Sequence, residues 1–260
     1  MFTIIKFMVK GLILAVLAGI LLGLIYWLVF VSNWSWFAEF LPLMIRGLWL
    51  TIQLFVISCV LGMAIAVPVG LVQVTGPPWL AVVARWFCTM IRGTPLLLQL
   101  WLLYYGLGSL FPSIPWLRGS FLWPVLRDGY YYAALAFTLS FAGYEGEVMR
   151  GAFLGVPHGE LEAARAFGMS GWKVLRRIWL PRAIRQVLPT LAGETVLQLK
   201  SIPLASTVTV MELVGVASKV RQDTFIVYEP LMFMGLVYMV MTALFVTAFN
   251  FVEKMVPQKR

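Results

Sequence analysis

The sequence is poor in charge. Only 12% of its 260 residues are Asp, Glu, Lys or Arg, against about a quarter in soluble domains, while 61% are hydrophobic. A chain this apolar has too little polar surface to face water all round, and lipid is the solvent that suits it. Histidine is scarcer still: His158 is the only one, set in a loop beside Pro157 and Gly159, with no partners at metal-ligand spacing. The two cysteines, Cys59 and Cys88, also lack such spacing; they read as small apolar residues and carry no information about redox compartment. No G-x4-G-K-[ST] loop is present, so the chain does not bind ATP by that route. Repeats of 20–50 residues and low-complexity linkers are missing too, which leaves one membrane domain. The 13 methionines fall at no metal-transport spacing and read as packing material.

What is present in quantity is apolar sequence in long runs. A helix needs about 20 such residues to cross the hydrocarbon. Six candidates appear: residues 11–31, 48–74, 87–110, 131–153, 187–216 and 230–252. The first follows Lys6 and Lys10; it is too long for a signal-peptide core and no A-x-A site follows, so it is kept as a span. The fifth is interrupted by Glu194, Lys200 and Pro203. The expected architecture is an all-α integral membrane protein of six transmembrane helices. An extra N-terminal helix would occupy residues 1–36, and the main membrane domain residues 37–260.

The net charge of +9 would raise nucleic acid as a partner in a soluble protein. Here the basic residues flank apolar runs, and contact with membrane lipid is the better reading. With both termini in the cytoplasm, fourteen of the 20 Lys and Arg residues lie inside and five outside, with Lys200 within a span. The opposite orientation would put the larger group outside, so the bias places both ends in the cytoplasm. Trp34, Trp36, Trp116 and Trp123 then sit near the outer interface, where indole rings are favoured.

The longest polar stretch, residues 155–186, joins spans four and five on the inner side. Glu160 to Phe167 reads as a short helix with Glu160 and Glu162 in its first turn, where the helix dipole favours anions. Gly168 ends it. Trp172 to Leu180 reads as a second amphipathic run, with Trp172, Leu175, Ile178 and Trp179 on one face, stopped by Pro181. A basic amphipathic loop can simply rest on anionic lipid. Against that, the small side chains of Ala163 and Ala164 permit close approach of another protein surface.

Charge inside spans is costly and marks candidate functional residues: Glu145, Glu147, Glu194 and Lys200. Glu147 and Arg150 are three apart and can pair along one helix face, which is a purely structural role. Lys200, Ser201, Pro203 and Ser206 mark a broken helix, either lining a cavity or satisfying itself by neighbouring hydroxyls. The excess carboxylate on span four is a reason to expect cationic cargo.

The loop carries a further signal. Glu162-Ala163-Ala164, Gly168, Ile178 and Leu180-Pro181 fill every fixed position of E-A-A-x3-G-x9-I-x-L-P. This resembles the EAA loop of ABC-importer permeases. Other pieces are similar to the polar amino acid group that handles histidine, glutamine, arginine and opines. They are Gly47-Leu48-x2-Thr51, Arg92-Gly93-Thr94-Pro95-Leu96 with Gln99, Gly143-Tyr144-x2-Glu147-x2-Arg150-Gly151, and Val156-Pro157-His158-Gly159. The resemblance covers about residues 40 to 255 and leaves the first span outside. It implies a type I importer fold with a five-helix core in the bacterial inner membrane, and a subunit without catalytic residues or a cofactor of its own. Its partners would be ABC ATPase subunits carrying ATP and Mg, a second permease subunit (identical or merely similar), and a periplasmic or extracellular amino-acid-binding protein. The ATPase-coupling residues implied are Glu160, Glu162, Ala163, Ala164, Gly168, Ile178 and Pro181. For the substrate path the candidates are Arg92, Thr94, Gln99, Glu145, Glu147, Lys200 and Ser201. A channel or secondary transporter working without ATP is the alternative, though it leaves the EAA pattern unexplained; a membrane scaffold would not need charge inside its spans.

Overall fold

The computed structural model describes residues 32–255, together with four single positions, Val16, Gly19, Gly23 and Tyr26, each helical. Apart from those four, the first expected span lies outside the described residues. What is described is all-α. Helix α1 is Phe37–Thr75, α2 Pro78–Gly93 and α3 Leu96–Trp101, which runs on as a π-helix over Leu102–Leu107. Two single-turn helices, Pro115–Arg118 and Trp123–Leu126, precede α4, Gly129–Gly155. Then come α5, His158–Ala166, α6, Gly171–Val174, and α7, Leu180–Ser201, followed by α8, Leu213–Thr224, and α9, Tyr228–Met255.

Among the described residues, three helices are long and apolar enough to cross a membrane: Phe37–Thr75, Leu96–Ser113 and Tyr228–Phe251. The stretch Gly171–Val208 and helix α8, bent by 44° at their junction, make a fourth if taken as one broken span. Helix α4 is long enough at 27 residues but carries Glu145, Glu147 and Arg150. It is the central helix, lying along α1 and also packing on α2 and α7.

The α1–α4 contact is built from small and polar side chains. The face of α1 buried there includes Ser58, Gly62, Ala66, Gly70 and Gln73, three or four residues apart. Across it, Gly62 comes up against Thr138 and Phe141, and Gly70 against Gly146, Met149 and Arg150 of α4. Lipid gives apolar side chains no reason to leave it, so close backbone approach and buried hydrogen bonds hold such helices together. At Gly70 a Cβ would stand 2.7 Å from Met149 Cβ and 2.9 Å from the Arg150 nitrogen, so no other residue fits without moving the helices. Gln198 of α7 donates to Ser58 Oγ and to the Phe137 carbonyl, each at 3.1 Å, tying three helices at one point.

Three expectations at the level of elements change. Residues 87–110 are not one helix: α2 ends at Gly93 and α3 begins at Leu96. Thr94 is extended, as a residue before proline must be, and Pro95 has no N–H to continue the ladder. Pro181 does not stop the loop helix. The backbone widens into a π-turn over Leu175–Trp179, and Pro181 enters α7 at its first turn, where the missing donor costs nothing. Trp172 does not share the packed face of its run: it is 69% exposed, whereas Leu175, Ile178 and Trp179 pack on the inner core.

Two cores result. One, from Trp36 through Leu54, Phe137 and Leu199 to Val216 and Met234, joins α1, α4, α7, α8 and α9. The smaller one joins Met149, Phe153 and Val156 of α4 and its end to Leu161, Ala164, Val174 and Ala183, and so fixes the loop between α4 and α7 to the bundle.

Candidate functional site

The loop between α4 and α7 is a built structure. Helix α5 opens at the extended Pro157 and closes in a left-handed turn: Gly168 has φ +76°. The Gly168 amide donates to the Arg165 carbonyl at 2.9 Å and the Met169 amide to Ala164 at 3.2 Å, the paired bonds of a Schellman end. Leu161 and Ala164 face the inner core, 4% and 5% exposed. Glu162, Ala163, Arg165 and Ala166 are exposed, and Phe167 is 89% exposed at the helix end. The two alanines therefore do different things: Ala164 packs against this chain's own core and Ala163 faces outward. Glu160 is held as well. Arg182 of α7 donates from Nε to Glu160 Oε2 at 2.8 Å and from Nη2 to Oε1. That charged hydrogen bond keeps the Glu160 carboxyl below the usual carboxylate range. Trp179 Nε1 donates to the Phe153 carbonyl at 2.9 Å and closes the loop against α4. Ile178 and Pro181 are half-buried in that junction, and His158 is exposed in the first turn of α5.

A second feature is a half-open cleft of about 170 Å³ among α3, α4 and α7. Its polar lining is Thr94, Ser140, Tyr144, Glu194, Gln198 and Ser201. Of the path candidates, Thr94 and Ser201 line it. Arg92 does not line it, but its guanidinium stands 5.8 Å from the centre of the ring of Tyr144, a lining residue. Gln99 supports the wall from behind: its amide donates to the Ile91 carbonyl at 2.8 Å and to Thr94 Oγ1 at 2.8 Å, satisfying groups that the break at Pro95 leaves open. Glu147 accepts from Arg150 Nε at 2.8 Å, the within-helix pair its spacing allows. Glu145 is fully buried, does not line the cleft, and neither carboxylate oxygen has a hydrogen-bond partner. Lys200 is exposed beside Ser201 at the end of α7. No group of three or more His, Cys, Asp or Glu able to hold a metal occurs among the described residues.

An apolar bundle, a polar cleft in its middle and a short amphipathic helix held out on one side are the parts of a transport subunit. The profile of binding-protein-dependent transport system inner membrane components matches residues 60–260. The chain belongs to this family. It is 41% identical to the octopine transport system permease protein OccM of Rhizobium radiobacter, over 81% of this chain and 84% of that one. Identity is 36% to the nopaline permease NocM of Agrobacterium fabrum, over 78% and 83%. It is 33% to the histidine/lysine/arginine/ornithine permease HisM of Escherichia coli K12, over 80% and 86%. Among solved structures, the chain is similar to an amino acid ABC transporter solved with histidines: TM-score 0.72 and 26% identity, over 86% of this chain and 99% of that one. The inward-facing MetNI methionine transporter shares the fold, with TM-score 0.67 at 18% identity over 85% and 99%. The fold is that of type I ABC-importer permeases.

Within this permease three polar lining residues, Ser140, Tyr144 and Gln198, were not among the path candidates, and Glu194 stood out only as a charge inside a span. A signal for them existed. Ser140 and Tyr144 are four apart on α4, and Glu194, Gln198 and Ser201 follow at four and three on α7, a polar stripe along one helix face. Span-by-span weighing of charge conceals such a stripe, because Ser, Tyr and Gln carry none.

Proposed function

We propose that this chain is the path-forming permease of an ATP-driven importer for opines or basic amino acids, working as one of a pair of identical or similar subunits. Helix α5 is the contact for a separate ATPase, with Glu162, Ala163, Arg165 and Phe167 as its outward face and Ala164, Gly168, Ile178 and Pro181 holding it in place. ATP and Mg belong to that ATPase, and this chain supplies no catalytic residue. A soluble binding protein delivers substrate from the other side. Six spans, an accessory helix over residues 1–36 ahead of a permease domain over 37–260, and cytoplasmic termini complete the reading.

The observation that carries it is the exposed face of α5. A helix wedged by Leu161 and Ala164 into the bundle, with its opposite face unpaired, is built to receive a partner and pass its movement into α4 and α7. The cleft supports the substrate class. Glu194 offers a carboxylate to a guanidinium or ammonium, and Arg92 beside Tyr144 offers a guanidinium to a carboxylate, the two charges that opines and basic amino acids bring. The test is reconstitution with the co-purifying ATPase and binding protein, followed by uptake of labelled octopine and arginine. Uptake that needs ATP and the binding protein supports the reading; uptake driven by an ion gradient without ATP would make the chain a secondary carrier.

A further inference from the structure

After Ser201 the backbone leaves the cleft through an irregular corner: a 3-10 turn over Ile202–Val208, then Thr209, then a new helix at Leu213. Thr209 has φ +68°, a left-handed conformation that a β-branched residue adopts only under constraint. The constraint comes from both sides of the corner. Beyond it, Glu212 is fully buried and caps α8 through the Val214 and Gly215 amides at 2.9 and 3.0 Å; it also accepts from Tyr238 of α9 at 2.9 Å. Behind it, Gly129 lies so close that a Cβ there would be 2.0 Å from the Val208 carbonyl oxygen. The remaining restraint is of another kind. Three aromatic side chains at the junction of α3 and its π-helical extension reach across to the corner: Trp101 Nε1 donates to Thr207 Oγ1 at 3.1 Å, Tyr105 donates to the Thr207 carbonyl at 3.0 Å, and the Tyr104 hydroxyl lies 3.3 Å from Thr209 Oγ1. Trp101 and Tyr105 are 42% and 55% exposed, so their side chains can turn away while Leu100 and the corner's Ile202, Ala205 and Val208 stay buried.

We infer that Trp101, Tyr104 and Tyr105 form a latch on the corner of the broken helix, at the end of the path opposite α5, and that its release is a step of each transport cycle. The corner has one rigid side and one releasable side. Glu212 fixes α8 to α1 through Thr51 and to α9 through Tyr238, whereas the 3-10 turn that follows α7, the helix carrying Glu194, Gln198 and Ser201 in the cleft, meets the latch. Parting of the three contacts frees the exposed face of the corner, Thr207 and Thr209, while Ile202, Ala205 and Val208 stay in the main core. Trp101, Tyr104 and Tyr105 stand at positions i, i+3 and i+4, a spacing that puts all three on one side of the helix. These are positioning residues: they touch the hinge, not the substrate. The inference rests on the importer reading and is tested apart from it.

The experiment uses the full complex with its ATPase in proteoliposomes, with Cys59→Ser and Cys88→Ala as background. Leu204→Cys, one 3-10 turn before Thr207, is labelled with bimane, whose fluorescence a nearby indole quenches. ATP with vanadate should raise the emission at least twofold when Trp101 is present and leave it unchanged in Trp101→Phe. This readout needs no substrate, so it does not depend on the cargo assigned above. Tyr105→Phe, which deletes a single oxygen, should raise ATP hydrolysis in the absence of binding protein at least threefold, with assembly and melting temperature unchanged. Constant bimane emission through the cycle, or parental hydrolysis in both Tyr105→Phe and Trp101→Phe, overturns the latch even where the parental complex imports normally.

Discussion

Glu160 and Glu162 stand two residues apart on one short helix, yet only Glu162 is free to meet a partner. Glu160 accepts both hydrogen bonds from Arg182 and so joins α5 to the first turn of α7. Its carboxyl is held below the ordinary range, so the pair stands throughout neutral pH and is lost only as pH falls through that depressed value. Exposed pairs contribute little unless they are bidentate, as this one is. Glu160→Arg should therefore lower uptake per ATP hydrolysed by about two- to fivefold, and Glu160→Arg combined with Arg182→Glu should restore it. Coupled ATPase and uptake assays check both, and a double variant no better than the single one would deny the pair any role in coupling. Glu145 poses the opposite case, a fully buried carboxyl with both oxygens unpaired, a costly arrangement that the cleft geometry does not explain.

Helix α5 shows how the two sides of one element divide labour. Ala163 and Ala164 read alike in the sequence, but successive residues of a helix point about 100° apart. Ala164 is 5% exposed in the inner core, and Ala163 faces out. Ala163→Trp should release the ATPase while leaving the membrane fold and its melting temperature intact, because the added ring meets only the partner. Ala164→Trp should instead overpack the inner core, at a cost of about 1–3 kcal/mol, and lower the melting temperature of the isolated permease. Copurification of the ATPase alongside thermal melting in detergent separates the two. If Ala163→Trp kept the ATPase bound at parental strength, α5 would not be the docking helix. At the next junction, a proline that should end a helix lies inside a continuous one, since the π-turn before it relieves the clash that proline causes.

At the scale of the molecule the basic residues decide orientation. The fourteen-to-five split of Lys and Arg is the ground on which we propose that the loop of α5 and both termini face the cytoplasm. A fluorescent protein fused after Arg260 should fold and fluoresce, and alkaline phosphatase at the same place should be inactive; an active phosphatase would reverse the topology. The sequence by itself determined the solvent, the helical class and the family pattern. Each of these depends on local quantities: the length of an apolar run, the side on which Lys and Arg accumulate, and the fixed spacing from Glu162 to Pro181. The break at Pro203 could be read, because proline acts on its own neighbours, whereas the one at Pro95 lay inside an expected single span. What only the tertiary structure decided was which residues meet. Thr94 and Ser201 came to one cleft while Glu145 and Glu147 did not, although all four looked alike as polar residues in or near spans. Gln99 became a support, Ala164 a core residue, and Trp101 and Tyr105 partners of Thr207 more than one hundred positions away. The reason is that a helix in lipid is apolar on every side. Its sequence states that it crosses, but its rotation about its own axis is set by the small residues, such as Gly70, that let a particular neighbour come close.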